Sequence, residues 1–160
     1  MSYLQIFIER TVFDDTELRP QVYCRYIDDI FIVVKDMQHL EKLQNTFQEK
    51  SCLRFTIELN NNNTLPFLDV LVSASEGSFS TTVYTKKTNV GMCLNADSEA
   101  PLRYRISVIN SYVNRAFTHC SSWAKLHSEI KHVTQVLVNI VYANKDIQET
   151  LMKKMKNFMP

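Results

Sequence analysis

Along the first half of the chain, short apolar runs with strand-like alternation are broken by polar clusters; along the second half, apolar residues recur every three or four positions. "VYCRYI" (22–27) and "IFIVV" (30–34) are rich in β-branched and aromatic residues and flank Asp28 and Asp29. This pattern predicts a hairpin with the two acids at its tip. Asp36 can cap a helix over 37–50, on which Met37, Leu40, Leu43, Gln44 and Phe47 trace one face that should pack on the sheet. Three more strands are predicted, "LRFTIEL" (53–59), "LPFLDVLV" (65–72) and "FSTTVYT" (79–85), separated by the asparagine tract 60–63 and the turn around Gly77. "YLQIFIER" (3–10) fits either a helix end or a strand, and "DDTELRP" after it is a polar connector closed by Pro20.

After Thr88 the period becomes 3.6. Pro101 suits the first turn of a helix running to about Phe117, with Leu102, Ile106, Ile109, Val113 and Ala116 on one face. Ser121 or Ser122 can start a longer helix in which Trp123, Leu126, Ile130, Val133, Leu137 and Ile140 form a stripe of the kind that is normally core. Asn144 and Lys145 break it, and Asp146 with Glu149 forms a capping box for a last helix carrying Ile147, Leu151, Met155 and Phe158. The expected fold is α+β: an antiparallel sheet with a packing helix over residues 1–90, then a small helical unit over 91–160. No internal repeat or long linker interrupts it, and two glycines in the whole chain leave little room for a glycine-rich phosphate loop.

Charge changes this picture when it is divided along the chain. Residues 1–80 carry 7 Lys or Arg against 12 Asp or Glu, net −5; residues 81–160 carry 11 against 5, net +6. An acidic working site beside a surface that meets an anionic polymer would produce that asymmetry. No apolar run is long enough to span a bilayer and no secretory leader opens the chain, so an intracellular protein with no membrane partner is expected. The cysteines, Cys24, Cys52, Cys93 and Cys120, form no C-x-x-C pair and are expected as reduced, mostly buried thiols. His127 and His132 point to different faces of one helix, which argues against a zinc site there with His119 and Cys120.

Asp28 and Asp29 carry the candidate chemistry. Strand alternation puts Tyr26 and Asp28 on one face and Arg25, Ile27 and Asp29 on the other, until the turn reorients the acids. Two carboxylates so close repel, by a few kcal/mol at an effective dielectric near ~20, and a divalent cation turns that repulsion into attraction. Mg²⁺ prefers such oxygen ligands and keeps open positions for water and phosphate. The competing reading is plain turn chemistry, in which aspartates serve their own bend.

"RYIDDIFIVV" resembles the Y-x-D-D box of reverse transcriptases. The later segments "RFTIELN", "LPFLDVLVS", "VYTKKTN" and "ISVINSYVNRAFTHCSS" are similar in order and spacing to the Penelope-like retroelement branch, and the likeness covers roughly residues 20–145. Lys87 departs from the family, which usually has proline there. The resemblance implies a palm-type sheet followed by a thumb-like, helix-turn-helix-like unit. It implies that Asp28 is the main metal-binding and catalytic carboxylate, that Asp29 is its partner, and that Mg²⁺ or Mn²⁺ is the cofactor of two-metal nucleotidyl transfer. Tyr26 would line the site near the growing 3′ end. Lys86, Lys87, Arg103, Arg105 and Arg115 are candidates for phosphate contacts with an RNA template and DNA primer. Asp69 lies within a predicted apolar strand and is read as hydrogen-bonding neighbouring backbone. A nuclear location goes with the retroelement reading.

The same family needs a carboxylate from an earlier palm strand, and fingers, ahead of the box. Only 27 residues precede Asp28, and their acids, Glu9, Asp14, Asp15 and Glu17, sit in or beside the polar connector. The expectation is therefore a reverse transcriptase fragment that binds metal weakly and does not polymerise alone. The alternative is a non-enzymatic relic whose basic helical half binds nucleic acid or another protein.

Overall fold

In a computed structural model of the chain, residues 9–51, 53–86, 88 and 93–158 are described, and the fold is a mixed α+β one. The chain divides into two compact units between Leu59 and Asn60.

The first unit begins with a helical segment at residues 9–13 (α1), which resolves part of the open reading of 3–10; residues 3–8 lie outside the described residues. Strands β1 (Val22–Tyr26) and β2 (Asp29–Val33) form the predicted antiparallel hairpin, in register from Val22 opposite Val33 to Tyr26 opposite Asp29. Asp36 then caps helix α2 (Met37–Ser51): its Oδ1 accepts the His39 N–H at 2.8 Å. The helix buries Leu40, Leu43 and Phe47, whereas Met37 in the first turn is exposed. Val12, Leu43 and Phe47 make the core, surrounded by Phe13, Leu18, Tyr23, Ile32, Val34 and Phe55. The Phe13 ring meets Tyr23 edge-on, with centroids 4.7 Å apart.

Residues 53–59 correct the sequence reading: they are neither strand nor helix. Their alternation is that of a strand, but no described strand lies beside them, and a strand exists only through its neighbour's hydrogen bonds. Phe55 is anchored, its ring 5.6 Å from Phe47 and its carbonyl accepting Gln44 Nε2 at 2.8 Å, and the Leu53 N–H donates to Ser51 Oγ at 3.2 Å. Leu53, Ile57 and Leu59 remain exposed.

The second unit opens with a three-stranded meander, β3 (Thr64–Phe67), β4 (Val70–Ser75) and β5 (Ser78–Val83). The single strand expected over 65–72 is therefore two strands. Phe67 faces Val70 across a two-residue loop, Leu68–Asp69, in which Leu68 has φ 55°. Leucine is costly in that left-handed region, so no local signal marks the turn. The β4–β5 turn is the opposite case. Glu76 and Gly77 have φ 40° and 81°, the pair of positive values that matches the strand twist, and glycine accepts it without a Cβ penalty.

Helices α3 (Leu102–His119), α4 (Trp123–Asn139) and α5 (Asn144–Phe158) complete the unit. Pro101 stands just before α3 with an extended ψ of 142°, and Ser122 caps α4 by accepting the Lys125 N–H. α5 starts at Asn144, so Asp146 lies inside its first turn and the expected Asp146–Glu149 capping box is not formed there. Ile109, Val113, Ala116, Phe117, Leu126, Val133, Leu137, Tyr142, Ile147 and Leu151 build the core. Leu102, Ile106 and Trp123, read as members of core stripes, are exposed at helix starts that reach past this core; the Phe158 side chain lies outside the described residues.

Between α4 and α5 the Tyr142 N–H donates to the Leu137 carbonyl and the Val141 N–H to Val138. That is a Schellman stop with Val141 at φ 71° where glycine is usual, closed by the buried pair Leu137 and Tyr142. The α3–α4 connection seats on the free edge of β5. The Ser121 N–H donates to the Thr81 carbonyl at 3.1 Å, the Thr81 N–H to Ser121 Oγ at 2.9 Å, and Lys125 Nζ to Ser80 Oγ at 2.7 Å. The helices thus cover an edge that would otherwise invite pairing.

Candidate functional site

The β1–β2 turn consists of two residues, Ile27 and Asp28. Ile27 has φ 52°, where a β-branched side chain is strained. Arg25 offsets that strain. Its Nη1 donates to the Ile27 carbonyl at 3.1 Å while its Nε is ion-paired with the Glu9 carboxylate, and both side chains are largely buried. Glu9, beside the polar connector in the sequence, is a helical residue bracing the turn. Sequence reasoning misses both Glu9 and Arg25, because an ion pair between residues 9 and 25 leaves no local pattern.

The turn alters the expected facing of the acids. Asp28 is a loop residue, not a strand residue sharing a face with Tyr26; Asp29 is the first residue of β2 and sits directly opposite Tyr26. Tyr26, Asp28 and Asp29 are all exposed. Among the described residues, neither carboxylate accepts a hydrogen bond or joins an ion pair. Elsewhere the chain does use acids on its own backbone: Asp15 Oδ1 accepts the Glu17 N–H at 3.0 Å, and Asp36 caps α2. Neither Asp28 nor Asp29 therefore serves its own bend through a carboxylate hydrogen bond among the described residues. Their donor set fits part of a shell for a hard cation, but no group of three or more His, Cys, Asp or Glu able to hold a metal occurs among the described residues.

In the second unit the Leu68–Asp69 turn also presents an acid. Asp69 Oδ1 lies 3.3 Å from Arg115 Nη2, which also donates to the Tyr84 carbonyl at 3.4 Å; the Asp69 backbone carbonyl accepts the Tyr84 N–H at 2.8 Å. Arg115 thereby ties α3 to the end of the sheet. Arg105 Nη1 donates to the Ala96 carbonyl at 2.9 Å, holding the segment before α3. Arg103 is exposed, with its guanidinium 4.9 Å from the centre of the Tyr104 ring, and Lys86 is exposed. Lys87 lies outside the described residues. Of the five candidate cations, Arg105 and Arg115 are engaged with backbone or an acid, the exposed Arg103 donates to the neighbouring Tyr104 hydroxyl at 3.3 Å, and Lys86 stands open at the surface.

Burial moves several titrations. The Tyr23 phenol, beside the Arg25–Glu9 brace, is pushed well above the ordinary tyrosine value by burial and then by Glu9. Tyr112 and Tyr142 are raised by burial and then by Cys93, while the Tyr142 hydroxyl donates to the Leu94 carbonyl at 2.9 Å. The Glu129 carboxyl on α4 is raised by burial, against the opposing pull of His132 and Arg115. No described helix is long and apolar enough to cross a membrane.

Residues 92–152 match the family model described as an animal helix-turn-helix domain, a stretch that takes in α3, α4 and the first part of α5. No curated protein and no solved structure matches the chain.

Proposed function

We propose that this chain is a piece of a retroelement reverse transcriptase of the Penelope-like kind, carrying the later palm and the start of the thumb. The observation that carries the reading is the state of Asp28 and Asp29. They are two exposed carboxylates on a braced two-residue turn, next to an exposed tyrosine, and neither is consumed by the turn's own hydrogen bonds. In this reading Asp28 and Asp29 would hold Mg²⁺ or Mn²⁺, and the chemistry such a two-metal site would supply is activation of a primer 3′ hydroxyl by one ion and charge stabilisation of the departing pyrophosphate by the other. Tyr26 lines the approach of the primer end. Lys86, Lys87 and Arg103 contact template-primer phosphates, while Arg105 and Arg115 shape the helical unit that carries that surface. The natural partners are an RNA template and a DNA primer, and the location is nuclear.

With no third acid beside them among the described residues, Asp28 and Asp29 bind a cation weakly and the chain alone does not extend a primer. Titration with Mn²⁺ read by electron paramagnetic resonance tests the assignment. Weak binding that disappears in Asp28→Asn and Asp29→Asn is expected. Binding indifferent to both substitutions would remove the site, and robust extension by the wild type would remove the claim of inertness.

A second reading is favoured by the helix-turn-helix match at 92–152. Here the basic helical unit binds a nucleic acid duplex, or another protein, without any chemistry. A salt-dependent duplex affinity that survives Asp28→Asn selects it.

A further inference from the structure

Residues 53–59 read "LRFTIEL", and about Thr56 the segment mirrors itself. Leu53 corresponds to Leu59, Phe55 to Ile57, and Arg54 to Glu58. The backbone of this segment makes two hydrogen bonds to side chains, both from odd-numbered residues: the Leu53 N–H donates to Ser51 Oγ at 3.2 Å and the Phe55 carbonyl accepts Gln44 Nε2 at 2.8 Å. In an extended chain, consecutive residues turn their N–H and C=O groups to opposite edges. In an extended segment with its odd residues held toward α2, the N–H and C=O groups of Arg54, Thr56 and Glu58 would face the other edge. Leu53, Ile57 and Leu59 are 49%, 43% and 53% exposed, on the side chain face they share with Phe55, which rests on Phe47.

We infer that residues 53–59 pair antiparallel with the same residues of a second copy of this chain, with Thr56 on the twofold axis. Thr56 exchanges both backbone hydrogen bonds with its counterpart, and each Arg54 lies across from a Glu58, so one register satisfies the charges twice. The same register sets Ile57 of one copy beside Phe55 of the other and extends the apolar surface that Phe47 begins. An unlike partner strand would have to supply both charges in reverse order; a second copy supplies them by symmetry. The opposite edge is engaged by Gln44 and Ser51 of α2, so pairing closes at two copies and does not propagate as a fibre.

Seven residues a side make a small interface, so the dimer is a weak one, populated at about 10–100 µM. Sedimentation equilibrium of the full chain across that range tests it. Wild type is expected to be a reversible dimer. Arg54→Glu alone and Glu58→Arg alone each put like charges opposite one another twice and raise the dimer Kd about tenfold or more. An equimolar mixture of those two variants is expected to form a heterodimer, and the double exchange R54E/E58R to restore the homodimer. All three positions changed or invoked here, Arg54, Thr56 and Glu58, are exposed, and the mixture and the double exchange separate lost pairing from lost folding. A chain that stays monomeric throughout, or a dimer that ignores both single exchanges, overturns the inference.

Discussion

Two hairpins in this molecule are built alike and used differently. Tyr26-Ile27-Asp28-Asp29 and Phe67-Leu68-Asp69-Val70 each close a two-residue loop whose first residue is a branched aliphatic held at positive φ, 52° and 55°, and whose second is aspartate. In the second hairpin α3 delivers Arg115 to the carboxylate, and the adjacent chain ties Tyr84 to the Asp69 backbone, so the acid serves the fold. In the first hairpin the arginine is Arg25, on the strand itself, and it reaches Glu9 and the Ile27 carbonyl instead of the acids. Asp28 and Asp29 are left without a hydrogen-bond or ion-pair partner among the described residues. The same local geometry gives a structural acid or an available one according to where the nearest guanidinium is directed.

The comparison can be broken most forcefully at the braces. Arg25→Ala leaves a largely buried Glu9 carboxylate without its partner and the Ile27 carbonyl uncapped, and is expected to destabilise the first unit by about 3 kcal/mol in urea unfolding. Arg115→Ala should cost about 1 kcal/mol by the same measurement, because Asp69 is two-thirds exposed and water replaces most of the lost attraction. If the two losses are equal, the contrast drawn between the hairpins fails.

Relieving the strained loop residue sharpens it further. Ile27→Gly removes a β-branched side chain from positive φ while giving up little burial, since Ile27 is 64% exposed, and should stabilise by about 1 kcal/mol. Leu68→Gly should gain less, because Leu68 is more covered and is not branched at Cβ. The smallest effect is a pH dependence near Arg115. Burial raises the Glu129 carboxyl above its ordinary 4.5, so folding favours its protonated form. Its contribution is present below the unfolded value and is lost as pH rises through the folded one. Glu129→Gln should therefore match wild type at low pH and exceed it slightly in melting temperature at neutral pH.

Legibility tracks the range of the forces involved. The β1–β2 hairpin, the Asp36 cap, the Ser122 cap and the three C-terminal helices are readable because period, cap and turn chemistry act within a few residues. The division of strands at Leu68–Asp69 is not, since that turn uses none of the residues that announce turns. The strand expected at 53–59 fails for the converse reason: its composition is right but nothing described pairs with it. A boundary near residue 90 separates strand-rich from helical sequence, whereas packing divides the chain at Leu59–Asn60, because β5 is stitched to the α3–α4 connection through Thr81 and Ser121.

Amino-acid order alone determined the α+β class, the helical periods with their buried stripes, and the placing of two adjacent acids at a bend, because each depends on neighbours in the chain. Tertiary structure alone decided which acids are engaged and which are available. That outcome rests on contacts such as Glu9 with Arg25 and Asp69 with Arg115, whose partners come together only when distant segments pack.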